Sequence, residues 1–205
     1  RVWFMATTAC VVAGVVISVT TAVHNTGGRF DNGVERGLNT FAFFTIQSNL
    51  IVGITSAVLA LKPGSSSAAF RSFRLMGLVA ITVTGVVYHV ALARLLDLES
   101  WALLGDQLVH TVVPLLAVVG WLLFGPRGLT SARTARLSLA FPVAWLAFTL
   151  VRGAVVHWYP YPFIDVTVLG YGKAVVNCAW VSLLLLGLAA GATVLDRHLG
   201  AAPTR

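Results

Sequence analysis

The chain has 205 residues, 58% of them hydrophobic and only 10% charged, with a net charge of +7. Soluble domains carry roughly 25% charged residues, which excludes water as the main solvent. The positive charge does not make a nucleic-acid surface, because the basic residues fall in short clusters between apolar runs rather than along one face.

Six apolar runs reach the ~20 residues needed to cross the hydrocarbon of a bilayer. They cover about 2–23, 40–61, 73–95, 103–124, 137–157 and 173–195. The first is too long for a signal-peptide core and lacks a small-residue cleavage site at its end, so it counts as the first helix. Polar or breaking segments separate the runs: Asn25 to Arg36, Lys62 to Ser67, Arg94 to Ser100, Gly125 to Gly128 and Tyr159 to Pro162. Connections this short leave no room for a second domain, and no internal repeat is present. Backbone polar groups must be satisfied within lipid, so the expected fold is all-α, a single six-helix membrane bundle over 1–205. Cys10 and Cys178 lie inside apolar runs and read as small buried hydrophobes, not as a disulfide.

Arg1, Lys62, Arg71, Arg74, Arg127, Arg133, Arg136, Arg197 and Arg205 all fall at one end of such a bundle. The other end holds Arg29, Arg36, Arg94 and Lys173, mostly beside acids. The bias of basic residues toward the inside then predicts cytoplasmic termini, with 24–39, 96–102 and 158–172 facing outward. Twelve arginines against two lysines fit a high-GC bacterial origin, hence a bacterial plasma membrane.

Counting a rise of ~1.5 Å per residue from the predicted outer ends, Thr45, His89, His110, Arg152 and Asn177 all lie roughly 6–9 Å below the outer boundary. The inner halves of the same helices hold little but Leu, Val, Ala and Gly. Ionisable groups within hydrocarbon are costly, which marks this outer layer as a candidate site. Taken singly, each polar residue also reads as structural glue between two helices.

Thr45, in Phe41-Ala-Phe-Phe-Thr-Ile-Gln-Ser-Asn-Leu50, has two such readings. A threonine in a membrane helix commonly bonds the carbonyl four residues earlier, here Phe41. As a nucleophile it needs a nearby base, and His110 is the residue suited to that role. Pro114 deprives the His110 carbonyl of its helical partner, so a kink is expected beside the imidazole. Asp106 shares a helix face with His110 and either orients the ring or faces headgroup water. Gln47, Asn49 and Asn177 are candidate oxyanion donors. Arg152 either holds an anionic group of a substrate or snorkels to the interface. Lys173 and Asp165 read as interfacial, and His157, Trp158, Tyr159 and Tyr161 as an aromatic boundary belt.

At Phe44-Thr45-Ile-Gln-Ser-Asn49, His110-Thr-Val-Val-Pro114 and Trp158-Tyr-Pro-Tyr-Pro-Phe163 the chain resembles the androgen-induced protein/ADTRP family and its bacterial relatives. The likeness lies in order, spacing and helix count, and spans about residues 1–196. It implies a multipass threonine hydrolase that cleaves fatty acid esters of hydroxy fatty acids, with Thr45 as nucleophile and His110 as catalytic histidine. The chain departs from the animal pattern in the Gln-Ser-Asn after the threonine and in Asp106-Gln107 before the histidine, where animal members favour Asn and His.

The expected chemistry is therefore hydrolysis of a lipid-like ester entering from the outer leaflet, with no cofactor. Two rivals use the same layer. His89, His110 and His157 supply the three histidines of a catalytic zinc site. A non-enzymatic lipid-binding or transport protein needs only the polar lining, although paired broken helices and internal repeats are not evident.

Overall fold

Every apolar run becomes a helix, since a helix is the single-segment structure that closes all its own backbone hydrogen bonds in lipid. The computed structural model describes residues 1–26, 29–95 and 97–200, and among them all regular structure is helical. Gly27, Gly28 and Leu96 of the polar connections, and Arg205 of the basic end, lie outside the described residues.

The first span is α1 (Val2–His24), followed by a short α2 (Gly33–Asn39) and a 3-10 turn Thr40–Ala42. The second is α3 (Phe44–Leu61). The third is α4 (Ala68–Val87), continued by a π turn Tyr88–Leu92 and a 3-10 turn Ala93–Leu95. The fourth joins α5 (Ser100–Gln107), a π turn Leu108–Val112 and α6 (Val113–Phe124). The fifth joins α7 (Ala132–Ser138) and α8 (Ala140–Val156), and the sixth is α9 (Val166–Leu199). These are six helices long and apolar enough to cross a membrane. The ends differ from the predicted ones because polar caps extend the helices past the apolar runs. Ser67 caps α4, Ser131 and Thr134 form a capping box on α7, and Asp165 accepts from Thr167 N–H at the start of α9. Gly170 interrupts α9 at φ 73°, ψ 160°, a conformation open to glycine.

Arg1 and Gly200, the first and last described residues, sit at one end of the bundle, here the terminal end. Arg74 lies 5.3 Å from the Phe4 ring and donates to the Gly125 carbonyl at 3.2 Å. Nearby, Asp196 accepts from Thr130 N–H at 2.9 Å. The opposite, loop end carries α2 and the segment 157–165. Both cysteines are free.

α3 and α4 are the most enclosed spans. One apolar cluster joins α3 and α4 to α8, α9 and the 159–164 segment through Phe44, Val79, Trp145, Tyr161 and Leu185. A second joins α1, α3, α4, the second π turn and α6 through Val11, Ile46, Ile81, Val109 and Val113. Phe44 belongs to the first cluster and Ile46 to the second, so Thr45 lies in the seam between them.

Candidate active site

The sequence contains no Gly or Pro between Phe41 and Phe44, and a continuous helix from 40 is the natural expectation. Instead Phe43 is extended (φ −73°, ψ 135°) and α3 begins at Phe44. Thr45 thereby falls in the first turn, where N–H groups lack helical partners. The expected bond from its hydroxyl to the Phe41 carbonyl does not form. Its Oγ1 lies 3.1 Å from His110 Nε2 and 3.1 Å from the Tyr161 hydroxyl, and its backbone N–H donates to the same hydroxyl at 3.1 Å. Tyr161 thus caps α3 from across the bundle.

His110 sits in the π turn directly before Val113-Pro114, so the expected distortion is there, taken up as an i→i+5 turn rather than a bare kink. Such turns recur at functional sites because they widen one helical turn and re-aim a side chain. Gly85 admits this turn: a Cβ there would stand 3.4 Å from the His110 carbonyl and 3.2 Å from Pro114. Asp106 Oδ1 lies 2.9 Å from His110 Nδ1. The Asp106 backbone carbonyl is 3.2 Å from the same nitrogen. The other carboxylate oxygen accepts from the Tyr88 hydroxyl, and the Tyr88 ring stacks on the imidazole at 4.1 Å and 10°. Asp106 and Tyr88 are both buried, so the reading of Asp106 as facing headgroup water does not hold.

One proton arrangement satisfies every member. Nδ1–H donates to Asp106, which leaves Nε2 as an acceptor for the Thr45 hydroxyl. The Thr45 oxygen then accepts from the Tyr161 O–H. Burial pushes the Tyr161 phenol above its ordinary value, against the opposing pull of its hydrogen bonds with Thr45, so it stays a donor at neutral pH.

The other predicted residues are not brought to this point. Gln47 donates to the Phe41 carbonyl, and Asn177 donates to the Phe163 carbonyl at 2.8 Å. Asn49 spends its amide on the Thr45 and Val109 carbonyls, which ties α3 to the π turn but leaves no N–H for an oxyanion. Arg152 donates to Asn39 at 2.8 Å and lies over Phe30 and Trp158 at the loop end. His89 is exposed with Nε2 on Thr111, and His157 is the exposed left-handed residue ending α8. Among the described residues no three His, Cys, Asp or Glu side chains are grouped to hold a metal ion.

The residues of the predicted layer do not form one cluster. A Cβ on Gly14, near the middle of α1, would stand 2.8 Å from Val109, the neighbour of His110. Thr45, in the first turn of α3, bonds Tyr161 of the 157–165 segment, the same segment that Asn177 holds through Phe163, while Arg152 bonds Asn39. α5 starts at Ser100, ahead of the predicted 103, and α2 packs on Val23 through Gly33 and Gly37.

A cavity of about 250 Å³ adjoins Thr45. Its walls are almost wholly apolar, from Phe44, Val83, Trp145, Leu146 and Leu185 among others, and Thr45, Thr84, Tyr161 and Ser182 are its hydroxyl-bearing members.

Tyr161 and Tyr88 are the site residues that sequence reading missed. Tyr161 looked like part of a boundary belt, yet Tyr159 and Tyr161 are both buried, and a Cβ on Gly153 would run into the Tyr159 ring at 2.1 Å. The one available signal was the doublet of Tyr-Pro pairs, which breaks the helix and turns the segment back into the bundle. Set against protein-family models, curated proteins and solved structures, the chain matches none.

Proposed function

We propose that the chain is an intramembrane ester hydrolase of the androgen-induced protein/ADTRP type, with Thr45 as nucleophile and His110 as general base. The observation that carries this reading is the continuous chain from Thr45 Oγ1 to His110 Nε2 at 3.1 Å and from Nδ1 to the Asp106 carboxylate at 2.9 Å. A nucleophile, a base and a group that orients the base stand in the order acyl transfer requires.

In this mechanism Thr45 Oγ attacks the ester carbonyl carbon as its proton passes to Nε2. The imidazolium formed is stabilised by Asp106. The oxyanion receives the Tyr161 O–H, and the start of α3 adds the positive end of a helix dipole. Collapse breaks the acyl–oxygen bond, and the leaving alkoxide takes the proton from Nε2. Water, deprotonated by the same nitrogen, then attacks the threonyl ester, which releases the acid and restores Thr45. The cavity favours a long acyl group, which agrees with fatty acid esters of hydroxy fatty acids as candidate substrates. The same reading places the termini in the cytoplasm of a bacterial cell.

An alkyl fluorophosphonate probe tests it. Wild-type protein should be labelled, and labelling should vanish in Thr45→Ala and fall by orders of magnitude in His110→Ala. Thr45→Ser, which loses only a methyl group, should retain part of it. Folded Thr45→Ala labelled as strongly as wild type would defeat the proposal and leave a lipid-binding protein as the reading.

A further inference from the structure

The cavity beside Thr45 reaches the surface of the bundle. Of the residues that line it, three are exposed: Val143 on α8, and Ser182 and Leu186 on α9. Val143 is 67% and Leu186 50% exposed, whereas the lining from α3, α4 and the 161–164 segment is buried or half-buried. The opening is thus a window between α8 and α9. Val143 lies near the middle of the 132–156 span, and Ser182 and Leu186 near the middle of the 166–199 span. The window therefore faces the hydrocarbon interior of a bilayer rather than its headgroups.

The inner end is fixed as well. Asn177 holds the Phe163 carbonyl at 2.8 Å, so the segment carrying Tyr161 is tied to α9 at that level. From Asn177 to Leu186 the helix rises about 14 Å, at ~1.5 Å per residue. The lining residues extend over that distance, with the Thr45 and Tyr161 hydroxyls toward one end and Val143, Ser182 and Leu186 toward the other, so the cavity reads as a tunnel.

We propose that this window is a lateral portal for one acyl chain. The chain lies in the tunnel with its first carbon at Thr45 and its far end leaving between Val143 and Leu186 into the bilayer centre. Assignment of the carbonyl end rests on the hydrolase reading. The occupancy does not, because a window that opens on lipid tails from an apolar tunnel admits nothing more polar than a chain. Since the tunnel has no floor, chain length is bounded from below, by filling of the tunnel, and not from above. Entry is through the mid-plane, unlike the outer-leaflet entry expected from the sequence.

The test separates the two readings. A palmitic acid analogue with a mid-chain diazirine is photolysed in membranes that contain wild-type or Thr45→Ala protein, and adducts are mapped by mass spectrometry. Adducts should concentrate on residues 139–146 and 178–186 in both proteins. Ser182→Trp, which adds bulk at an exposed position of the window, should reduce them at least tenfold, with thermal unfolding in detergent confirming that the variant folds. It should also lower cleavage of a p-nitrophenyl hexadecanoate at least tenfold more than that of p-nitrophenyl butyrate. Adducts confined to surfaces outside the tunnel, or unaffected by Ser182→Trp, would overturn the portal. Adducts within the tunnel from a protein that cleaves neither ester would uphold the portal and remove the hydrolase reading. Cleavage that depends on Thr45, with adducts elsewhere, would do the reverse.

Discussion

Tyr161 meets Thr45 twice, accepting the backbone N–H and sharing a hydrogen bond with the side-chain oxygen, each at 3.1 Å. The two residues are 116 positions apart, so this contact fixes the start of α3 and the 157–165 segment to each other as much as it shapes the site. A buried tyrosine is expected to find a partner for its hydroxyl, but the same geometry leaves that proton next to the atom that would attack a substrate.

Tyr161→Phe should therefore slow ester cleavage about 100-fold, the usual cost of ~3 kcal/mol for one oxyanion donor. The Thr45 N–H also loses its acceptor, and an orphaned buried donor costs about 1–3 kcal/mol. A lower melting temperature should accompany the kinetic defect. Steady-state hydrolysis beside thermal unfolding in detergent separates the two effects. Lost stability with unchanged turnover would make Tyr161 a cap and no more.

The spans were legible because lipid imposes one rule on all of them: a long apolar run must close its own hydrogen bonds. Thr45, His110 and Asp106 were also legible, since each is a costly group in hydrocarbon and Asp106 and His110 share a helix face at four-residue spacing. The break at Phe43 was not, because an aromatic run carries no breaker and the bend is set by tertiary contacts. One of these is the Trp145 indole donating to the Ala42 carbonyl at 2.9 Å. Nor were Tyr88 and Tyr161. Aromatic residues beside charges and prolines are normally interfacial anchors, and only the folded contact shows these two turned inward.

Metal removal should leave activity intact. His110 is engaged on both ring nitrogens, by Thr45 and by Asp106, and His89 is bonded to Thr111. Purified protein treated with a strong chelator should keep its full hydrolysis rate and carry substoichiometric zinc by elemental analysis. His89→Ala should cleave esters at a rate close to wild type. Stoichiometric zinc lost together with activity in His89→Ala would instead favour the zinc reading.

Topology can be read from two loop positions. Asn32 caps α2 at the loop end and Ser66 lies in the α3–α4 connection at the terminal end. In a background without Cys10 and Cys178, an impermeant thiol reagent applied to intact cells should label Asn32→Cys and not Ser66→Cys. The opposite pattern would invert the bundle, so that the basic clusters would face outward against the usual bias.

The last prediction concerns how Asp106 acts. One oxygen faces His110 Nδ1 at 2.9 Å and the other accepts from the Tyr88 hydroxyl. In Asp106→Asn, the Tyr88 O–H favours the amide oxygen on its own side, which turns the NH2 toward Nδ1. Nδ1 must then accept, Nε2 carries the proton, and the base for Thr45 is lost. A comparable change in a serine triad costs about 10⁴ in rate. Here the Asp106 backbone carbonyl, 3.2 Å from Nδ1, still competes to keep the proton there, so a loss nearer 10² is expected. Adding Tyr88→Phe removes the group that holds the amide in that orientation. The amide is then free to flip and present its oxygen to Nδ1–H. The double variant should therefore regain about tenfold over Asp106→Asn alone, although Tyr88→Phe by itself slows the enzyme. That sign reversal is specific to a tautomer effect, because loss of negative charge alone would make the second substitution additive or worse.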